Sequence, residues 1–273
     1  MSKTVFFDID GTIWDDDMVI PESTIEAVAT LKANGHLAFI CTGRARASVR
    51  SEKLLNMGFD GIIAACGNYI EMDGKVIYEN NLSADMVQKV IRVLSECKMP
   101  VVLEGSTDYW IDDEGFEDDP YVDYLFESLG EHAHIIRGYD GEIRINKFSA
   151  DVIDGTDYER VKAEFADDFL ILEHVENVVE FVPKGTSKAT GIKWLCNHLD
   201  IPLDETYAIG DSVNDLEMLE SVGHGIAMGN SMPPAKEIAE YVTSDISDDG
   251  VKNALKHYGF CLLYTSPSPR DRG

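Results

Sequence analysis

Two pairs of aspartates follow short apolar runs that are typical of buried strands. Asp8 and Asp10 follow the first run, and Asp211 and Asp215 follow another near the other end of the chain. Because the carboxyl ends of parallel strands meet at one edge of a sheet, at least three carboxylates are expected to converge there. Carboxylates that close repel one another unless a cation lies among them. The pattern therefore predicts a Mg²⁺-dependent site for phosphoryl transfer.

The first pair has the residue types needed to cleave a phosphate ester covalently. Attack by a carboxylate divides the reaction into two displacements through an aspartyl-phosphate, and Asp8, next to the strand end, is the expected nucleophile. Asp10 lies two residues further on, where it could protonate the leaving oxygen and later take a proton from water. Gly11 allows a sharp turn, which the hydroxyl of Thr12 is expected to fix.

Charge that develops on the transferred phosphoryl group requires hydrogen-bond donors and cations. Thr42, at the end of the second predicted strand, offers a hydroxyl and an amide, and Lys188, which opens a predicted helix, offers a compact positive charge. Lys184 is an alternative because it lies one helical turn earlier. Carboxylates of Asp8 and Asp211 with a backbone carbonyl and water could complete a Mg²⁺ coordination shell.

The elements around these residues predict a doubly wound parallel α/β sheet of Rossmann type, interrupted by an α+β insertion. Strands alternate with helices at both ends of the chain, whereas the middle mixes the two. The predicted strands are 4–7, 37–41, 61–65, 101–104, 109–111, 142–148, 170–174, 178–181, 206–209 and 225–228. The predicted helices are 21–31, 47–57, 86–94, 158–165, 188–199, 215–219 and 234–241.

These patterns divide the chain into a core of residues 1–82 and 183–260 and an inserted domain of residues 83–182. If the strand before Asp211 lies beside the strand before Asp8, on the side away from the next two strands, the topological switch falls between these two aspartates. Ligands of open α/β sheets bind at that position. Hinges are expected where the chain crosses between the domains, near 81–83 and 183–184.

The charge of the chain limits its partners. The formal net charge is −27, and the 25 acidic and 8 basic residues of segment 83–182 account for −17 of it. Nucleic acid and anionic membranes require a basic surface, so neither is an expected partner, and small molecules and cations are. No secretory signal, membrane-spanning run or paired cysteine spacing is visible, which favours a reducing cytoplasm.

Three further features of the sequence contribute less to the predicted function. The segment 261–273 changes character abruptly and matches the in-frame translation of a transposase sequencing adaptor, so it is excluded from the fold as a non-native tail, the alternative being an ordinary Ser/Pro tail. His132 and His134 have the spacing of metal ligands on a strand, although structural roles are more common for isolated histidines. The acidic run 112–119 lacks the regular spacing of a Ca²⁺ loop and is expected to be solvated.

At the residues singled out above, the chain resembles the haloacid dehalogenase (HAD) superfamily of phosphatases, in its Cof-type subfamily with a large α/β cap (type IIB). The resemblance spans residues 3–260. It depends on four motifs in order, namely Asp8-Ile9-Asp10-Gly11-Thr12, Thr42-Gly43-Arg44, Lys188 within Gly185-Thr186-Ser187-Lys188, and Gly210-Asp211-Ser212-Val213-Asn214-Asp215.

The resemblance implies a role for each motif. Mg²⁺ would be held by Asp8, Asp211 and the carbonyl of Asp10, with Asp215 nearby, and segment 83–182 would be the cap that covers the site. The implied phosphate-binding residues are Thr42, Gly43, Arg44, Lys188 and Asn214. One departure is Cys66-Gly67-Asn68, where many relatives place Asn before the Gly, and it bears on a side-chain contact from position 66 but not on the catalytic set.

The sequence thus predicts a Mg²⁺-dependent phosphatase of small phosphorylated metabolites, such as sugar phosphates or phosphorylated cofactors. One alternative is a phosphomutase, since a related branch uses similar motifs and a similar cap. Another is a non-enzymatic phospho-aspartate switch, since receiver domains also group acids, Thr and Lys around Mg²⁺. The long insertion and the acid/base residue Asp10 argue against the switch.

Overall fold

The structure is a computed structural model that describes residues 2–116, 119–174 and 177–260. The tail predicted at 261–273 and part of the acidic run at 112–119 lie outside these ranges. The strands, in chain order, are β1 (Thr4–Phe7), β2 (Leu37–Cys41), β3 (Gly61–Ala64), β4 (Tyr69–Met72), β5 (Lys75–Glu79), β6 (Val101–Glu104), β7 (Tyr109–Ile111), β8 (Ala133–Ile135), β9 (Lys147–Asp151), β10 (Phe169–Glu173), β11 (Val178–Pro183), β12 (Thr206–Gly210), β13 (His224–Ala227) and β14 (Tyr241–Val242).

The helices of the same ranges include two that are strongly amphipathic, α3 and α9, and several that are short. They are, in chain order, α1 (Glu22–Ala33), α2 (Glu52–Leu55), α3 (Ala84–Glu96), α4 (Pro120–Leu129), α5 (Tyr158–Phe165), α6 (Lys188–His198), α7 (Leu216–Ser221), α8 (Pro233–Ile238) and α9 (Gly250–His257). No helix in the described part of the chain is both long and apolar enough to cross a membrane.

Contacts divide the chain into two compact units. The first unit comprises Glu52–Ile62 and the described residues of Met1–Cys41 and Ile192–Gly273, and the second comprises Thr42–Ser51 and the described residues of Ile63–Gly191. The second unit therefore includes the insertion predicted at 83–182 together with flanking segments. The domain boundaries inferred from the sequence stay a prediction.

The first unit is built on a parallel sheet. Its strand order is β14-β13-β12-β1-β2, followed by β3, and the pairs β12–β1 and β1–β2 are both parallel. The chain thus leaves β1 toward β2 on one side and returns to β12 on the other. This confirms the predicted doubly wound arrangement and places the topological switch between β1 and β12, at the ends that precede Asp8 and Asp211.

Apolar residues on both faces explain why β1 lies in the centre of this sheet. Val5, Phe6 and Phe7 are fully buried, as expected for a parallel strand covered on both sides. The ring of Phe6 stacks on that of Phe39 in β2, at 5.7 Å between centroids. Burial on both faces fixes the register of the strand and hence the position of Asp8, which directly follows it.

Among the described residues of the second unit, six strands form a mostly antiparallel sheet in the order β10-β11-β9-β6-β7-β8. One face packs on α3 and α5 through a cluster of apolar side chains that includes Leu103, Phe148 and Phe181. The rings of Phe148 and Phe181 are stacked, with 4.5 Å between centroids. This mixed architecture agrees with the α+β insertion predicted for the middle of the chain.

The opposite face of this sheet has a row of buried charges, which we call the charged row and define as Glu104, Lys147 and Glu180. Glu104 and Lys147 are direct cross-strand partners on β6 and β9, with 3.1 Å between Lys147 Nζ and Glu104 Oε2. The same ammonium contacts Glu180 Oε1 on β11. Tyr109 donates a hydrogen bond to Glu104, and His174 shares one with Glu180 at 3.1 Å.

Several sequence-based elements differ in their extent, among them the helix predicted over 234–241, which ends at Ile238 before β14. The helix predicted over 47–57 is broken into a 3-10 turn at Arg46–Ser48 and the short α2, because the hydroxyl of Ser48 bonds to the carbonyl of Ala45 in competition with a continuing helix. The strand predicted over 142–148 begins only at Lys147. The residues before Lys147 bond to another segment instead, because the carbonyl of Ile145 accepts a hydrogen bond from the Leu82 amide.

A β-hairpin, β4–β5, was not predicted at all. Its strands pair antiparallel and are joined at Asp73 and Gly74, both with positive φ. An Asp-Gly pair between alternating residues is the usual signature of a tight hairpin turn. The signal was therefore present in the sequence.

Candidate active site

Three aspartates of the first unit converge at the carboxyl end of its parallel strands. Asp8, Asp211 and Asp215 each offer a carboxylate oxygen, and these oxygens all lie within 4.8 Å of one another. We call this group the carboxylate triad. The structure thus brings together members of the two acidic pairs that the sequence indicated, with Asp8 from the end of β1 and the other two from the segment after β12.

Asp8 is held by the sheet itself. Its amide donates to the carbonyl of Ile209 in β12 at 3.0 Å, and the residue is 3% exposed. A buried carboxylate at a fixed position next to a strand end is suited to in-line attack on a phosphorus atom, because its approach requires no reorganisation of the backbone.

The turn after Asp8 contacts the triad directly. Gly11 has φ +72, and a Cβ atom there would lie 2.4 Å from Asp211 Oδ2, so the turn requires glycine for both conformation and space. Thr12 Oγ1 donates to Asp211 Oδ1 at 3.0 Å. From the sequence, this hydroxyl was expected to fix its own turn. In the structure it instead donates to a member of the second acidic pair.

Asp215 is oriented by backbone donors. Its Oδ2 atom accepts from the amides of Asp211 and Ser212, at 2.9 and 3.0 Å, in a capping box that precedes α7. Asn214 in the same turn accepts from the Ser212 hydroxyl at 2.7 Å. This local turn explains how a four-residue spacing between acids places both carboxylates on one side.

Asp10 lies outside the carboxylate triad, and its side chain has a partner that the sequence did not indicate. The indole of Trp14 donates from Nε1 to Asp10 Oδ1 at 2.8 Å, and Trp14 itself is nearly fully buried. The turn is closed by a hydrogen bond from the Gly11 amide to the Trp14 carbonyl. Trp14 therefore orients the predicted acid/base residue, and its position four residues after Asp10 was the available signal.

Asn230 is a second contributor that sequence reasoning missed. Its side-chain amide donates to the carbonyl of Gly11 at 2.7 Å and accepts from the amide of Ile246 at 3.1 Å. The turn that bears Asp10 is thus tied to two later segments of the first unit. An asparagine gains such a role only through long-range contacts, so local sequence patterns do not indicate it.

The predicted phosphate-binding residues Thr42, Gly43, Arg44 and Lys188 lie in the second unit. Thr42 is buried, and its hydroxyl accepts from the Arg44 amide at 3.1 Å across Gly43. Lys188 is buried at the start of α6, whereas the alternative Lys184 is exposed. These environments favour Lys188 over Lys184 for a fixed catalytic charge.

The two histidines considered as metal ligands share one carboxylate instead. His132 Nδ1 and His134 Nε2 lie 3.1 and 2.9 Å from Asp108 Oδ1. The ring of His134 also packs against Trp110 and Tyr139. This arrangement accords with the structural role that the sequence favoured.

Known proteins match the sequence of this chain over most of its length. Residues 5–255 match the family model of haloacid dehalogenase-like hydrolases. YkrA of Bacillus subtilis, a putative phosphatase by name, is 34% identical over 275 residues, which cover 94% of this chain and 98% of that protein. The 5-amino-6-(5-phospho-D-ribitylamino)uracil phosphatase YitU of the same organism is 28% identical over 274 residues, covering 93% of this chain and 96% of YitU.

A solved structure extends the similarity to the fold. The sugar phosphatase BT4131, of HAD subclass IIB, superposes with a TM-score of 0.76 and is 25% identical, with 95% of this chain and all of that chain covered. The similarity therefore includes the parallel sheet of the first unit and the insertion of the second.

Proposed function

The chain belongs to the haloacid dehalogenase-like hydrolases, and on that premise we propose that it is a Mg²⁺-dependent phosphatase that works through an aspartyl-phosphate. The observation that carries the proposal is the carboxylate triad, whose oxygens lie within 4.8 Å of one another. The family, the α/β fold with its insertion and the phosphatase class expected from the sequence are confirmed by the relatives.

The chemistry of the triad fits Mg²⁺. Its members offer only carboxylate oxygens, which are hard ligands that Mg²⁺ prefers, and the group contains no imidazole or thiolate of the kind that zinc sites use. We propose that Asp8, Asp211 and Asp215 hold the ion together with the carbonyl of Asp10. The ion would neutralise charge on the phosphoryl oxygens and on the attacking carboxylate.

Asp8 is the proposed nucleophile. Its carboxylate oxygen forms a bond to phosphorus while the ester bond to the leaving oxygen breaks, and Asp10 gives that oxygen its proton. In the second step water attacks the phosphorus of the aspartyl-phosphate, Asp10 takes a proton from the water, and the bond to Asp8 breaks to release inorganic phosphate. The hydrogen bond from Trp14 keeps the Asp10 carboxylate in one orientation for both transfers.

The remaining residues are proposed to bind the phosphate. Thr42 would donate its hydroxyl, Gly43 its backbone amide, Arg44 its guanidinium and Lys188 its ammonium group. Asn214 would support Lys188 or the phosphate. The burial of Thr42 and Lys188 supports these assignments, because charge and donors act more strongly away from water.

The proposed substrates are small phosphorylated metabolites, either sugar phosphates or phosphorylated cofactors. YitU and BT4131, by their names, act on a ribityl phosphate and on sugar phosphates, so both release a polyhydroxylated product. The net charge of −27 fits a small substrate rather than nucleic acid or an anionic membrane. We further propose that segment 83–182 is the cap that recognises the leaving group, and that the enzyme is cytoplasmic.

The test is the substitution Asp8→Asn. The wild-type protein is expected to release phosphate from p-nitrophenyl phosphate in the presence of Mg²⁺ and to stop when EDTA is added. Asp8→Asn should retain the circular dichroism spectrum and melting temperature of a folded protein but show no turnover, since an amide does not form the acyl phosphate.

A matched control is Asp73→Asn in the β4–β5 turn, where asparagine suits the positive φ of 49°. It makes the same chemical change away from the triad and should behave as wild type. Turnover by Asp8→Asn comparable to that of the control would remove Asp8 as nucleophile. Absence of turnover in the wild type on a panel of phosphate esters would remove the proposed function itself.

A further inference from the structure

The segment after β3 has a strained backbone that the proposed mechanism does not use. Three consecutive residues have positive φ, namely Ala65 at 50°, Cys66 at 51° and Gly67 at 85°. The left-handed region is unfavourable for a non-glycine residue, which usually visits it singly. Two non-glycine residues in succession at such angles indicate that surrounding contacts impose the conformation.

One side of this turn holds the loop that contains Thr42. The Ala65 amide donates to the carbonyl of Arg44 at 2.8 Å, and the Cys66 amide donates to the carbonyl of Thr42 at 3.2 Å. Both ends of the tripeptide Thr42-Gly43-Arg44 are thereby fixed by successive amides of the left-handed turn. An extended or right-handed backbone at 65–66 would not point both amides at this loop.

The other side of the turn lies against the start of α6. A Cβ atom on Gly67 would lie 2.3 Å from the carbonyl oxygen of Ser187 and 3.0 Å from the amide nitrogen of Gly191. Gly191 in turn has no room for a Cβ, which would lie 2.9 Å from Gly67 Cα. The two glycines bring the turn into backbone contact with the residues on either side of Lys188.

A buried amide keeps the turn in this conformation. Asn68 is fully buried, and its Nδ2 atom donates to the Ala65 carbonyl at 2.8 Å and to the Thr186 hydroxyl at 3.0 Å. Its Oδ1 atom accepts from the side chain of Asn80 at 2.8 Å. The turn is thus locked to the segment that leads into α6 as well as to the Thr42 loop.

The side chain of Cys66 has no separate chemical role in this arrangement. The thiol is buried, and burial raises its pKa to about 12, so it remains protonated and unreactive at neutral pH. Asparagine tolerates the left-handed region better than cysteine does. What position 66 contributes is its backbone conformation.

We propose that the left-handed turn Ala65–Gly67 is a positioning element that sets the Thr42 loop at a fixed distance from Lys188. This inference rests on the proposed function, because both groups are assigned there to the phosphate. In this proposal the turn acts only through these two groups. The strained turn is useful to the enzyme because a displacement of about 1 Å between two phosphate-binding groups can lower the rate roughly 10²-fold.

The test compares two substitutions in the turn with two matched controls in the same unit. Cys66→Val places a β-branched residue at φ 51°, and Lys98→Val does the same at φ 53° after α3. Gly67→Ala adds a methyl group against Ser187, and Gly74→Ala adds one at φ 70° in the β4–β5 turn, where no other atom lies within 4 Å. Each pair shares the backbone penalty, and one member contacts the site residues.

Both turn variants should lower kcat for p-nitrophenyl phosphate at least tenfold and raise the inhibition constant of orthophosphate, with a smaller change in KM. The two controls share the backbone penalty but not the contacts of the turn, so they should lose less melting temperature and keep wild-type kinetics. Cys66→Asn, whose residue type suits the left-handed region, should keep the wild-type kcat and orthophosphate inhibition even where burial of its amide lowers the melting temperature.

Wild-type kinetics in a folded Cys66→Val or Gly67→Ala protein would overturn the inference, and so would an equal kinetic loss in the controls. If neither turn variant folds, the turn is a requirement of folding rather than of positioning, and the inference also fails. A wild-type enzyme that hydrolyses no phosphate ester contradicts the proposed function instead, so the two failures are distinguishable.

Discussion

The two units bring carboxylates together in different surroundings. In the charged row of the second unit, a lysine from the central strand lies between two glutamates, so the sheet supplies its own counter-charge. In the carboxylate triad of the first unit, three acids approach within 4.8 Å and are oriented by amides and a hydroxyl. The lysine ammonium is part of the chain and is always present, which suits a structural role. We propose that the triad holds an exchangeable cation, which can also meet a substrate.

The charged row is the place where removal of one group should cost the most. Lys147→Met leaves two buried carboxylates without their ammonium partner and is expected to reduce the free energy of unfolding by about 3–5 kcal/mol. Urea unfolding monitored by circular dichroism measures this loss. The triple variant E104Q/K147M/E180Q should recover part of it, because no uncompensated charge remains. A single variant as stable as wild type would contradict the assigned structural role.

The carboxylate triad should respond in activity rather than stability. Asp211→Asn is expected to lower kcat/KM by about 10²–10³-fold and to shift the Mg²⁺ dependence to higher concentration, because one charged oxygen ligand is lost. In EDTA its melting temperature should equal or exceed that of wild type, since repulsion among the acids is reduced. The exposed Asp204→Asn in the same unit is the control. An unchanged Mg²⁺ dependence would refute the role of Asp211.

Lowering the pH should reduce the contribution of the charged row to the free energy of unfolding. Burial alone would raise the pKa of Glu180, but the ammonium of Lys147 and the hydrogen bonds from His174 and Lys147 outweigh it and lower the pKa to about 2. A lowered pKa stabilises the fold above the ordinary value of 4.5 and loses that contribution as pH falls toward 2. Unfolding free energies between these pH values should fall less steeply in Glu180→Gln than in wild type. Equal slopes would contradict the pairing.

The smallest expected effect concerns the hydroxyl that orients the triad. Thr12→Val removes the hydrogen bond to Asp211 with little change of shape, and the affinity for Mg²⁺ should fall about 10-fold, in the range usual for groups that orient a metal ligand. Isothermal titration of the folded protein with Mg²⁺ measures this. Thr30→Val on α1, whose hydroxyl donates to the Glu26 carbonyl, is the control. Equal affinities in the two variants would show that orientation by Thr12 is unimportant.

The sequence predicted central elements well because burial dominates their conformation. The strands β1, β2, β6 and β7 and the helix α5 have the predicted bounds. Each has apolar residues that are buried by neighbouring elements, and so the local pattern and the tertiary structure agree. The peripheral hairpin β4–β5 was missed because its strands alternate weakly and are partly exposed, with the Asp-Gly turn as the remaining signal.

Site residues followed the same rule. The approach of Asp8 and Asp211 could be predicted because strand ends in a parallel sheet converge by topology, and a local turn adds Asp215 to them. The contributions of Asn68 and Asn230 could not, because an amide is polar in any setting and acquires its role only from partners that the fold supplies. The assignment of Thr42, Gly43, Arg44 and Lys188 to the phosphate stays a prediction that kinetic measurements must decide.

The position of β1 has a consequence for how the protein is made. Thr4 pairs with Leu37 on one side and with Thr206 on the other. At a synthesis rate of roughly 5–20 residues per second, about 10–40 s separate the emergence of β1 from that of its second neighbour. During this interval one edge of a mostly apolar strand lacks its partner. Rapid translation or a chaperone that shields this edge should therefore increase the yield of native enzyme.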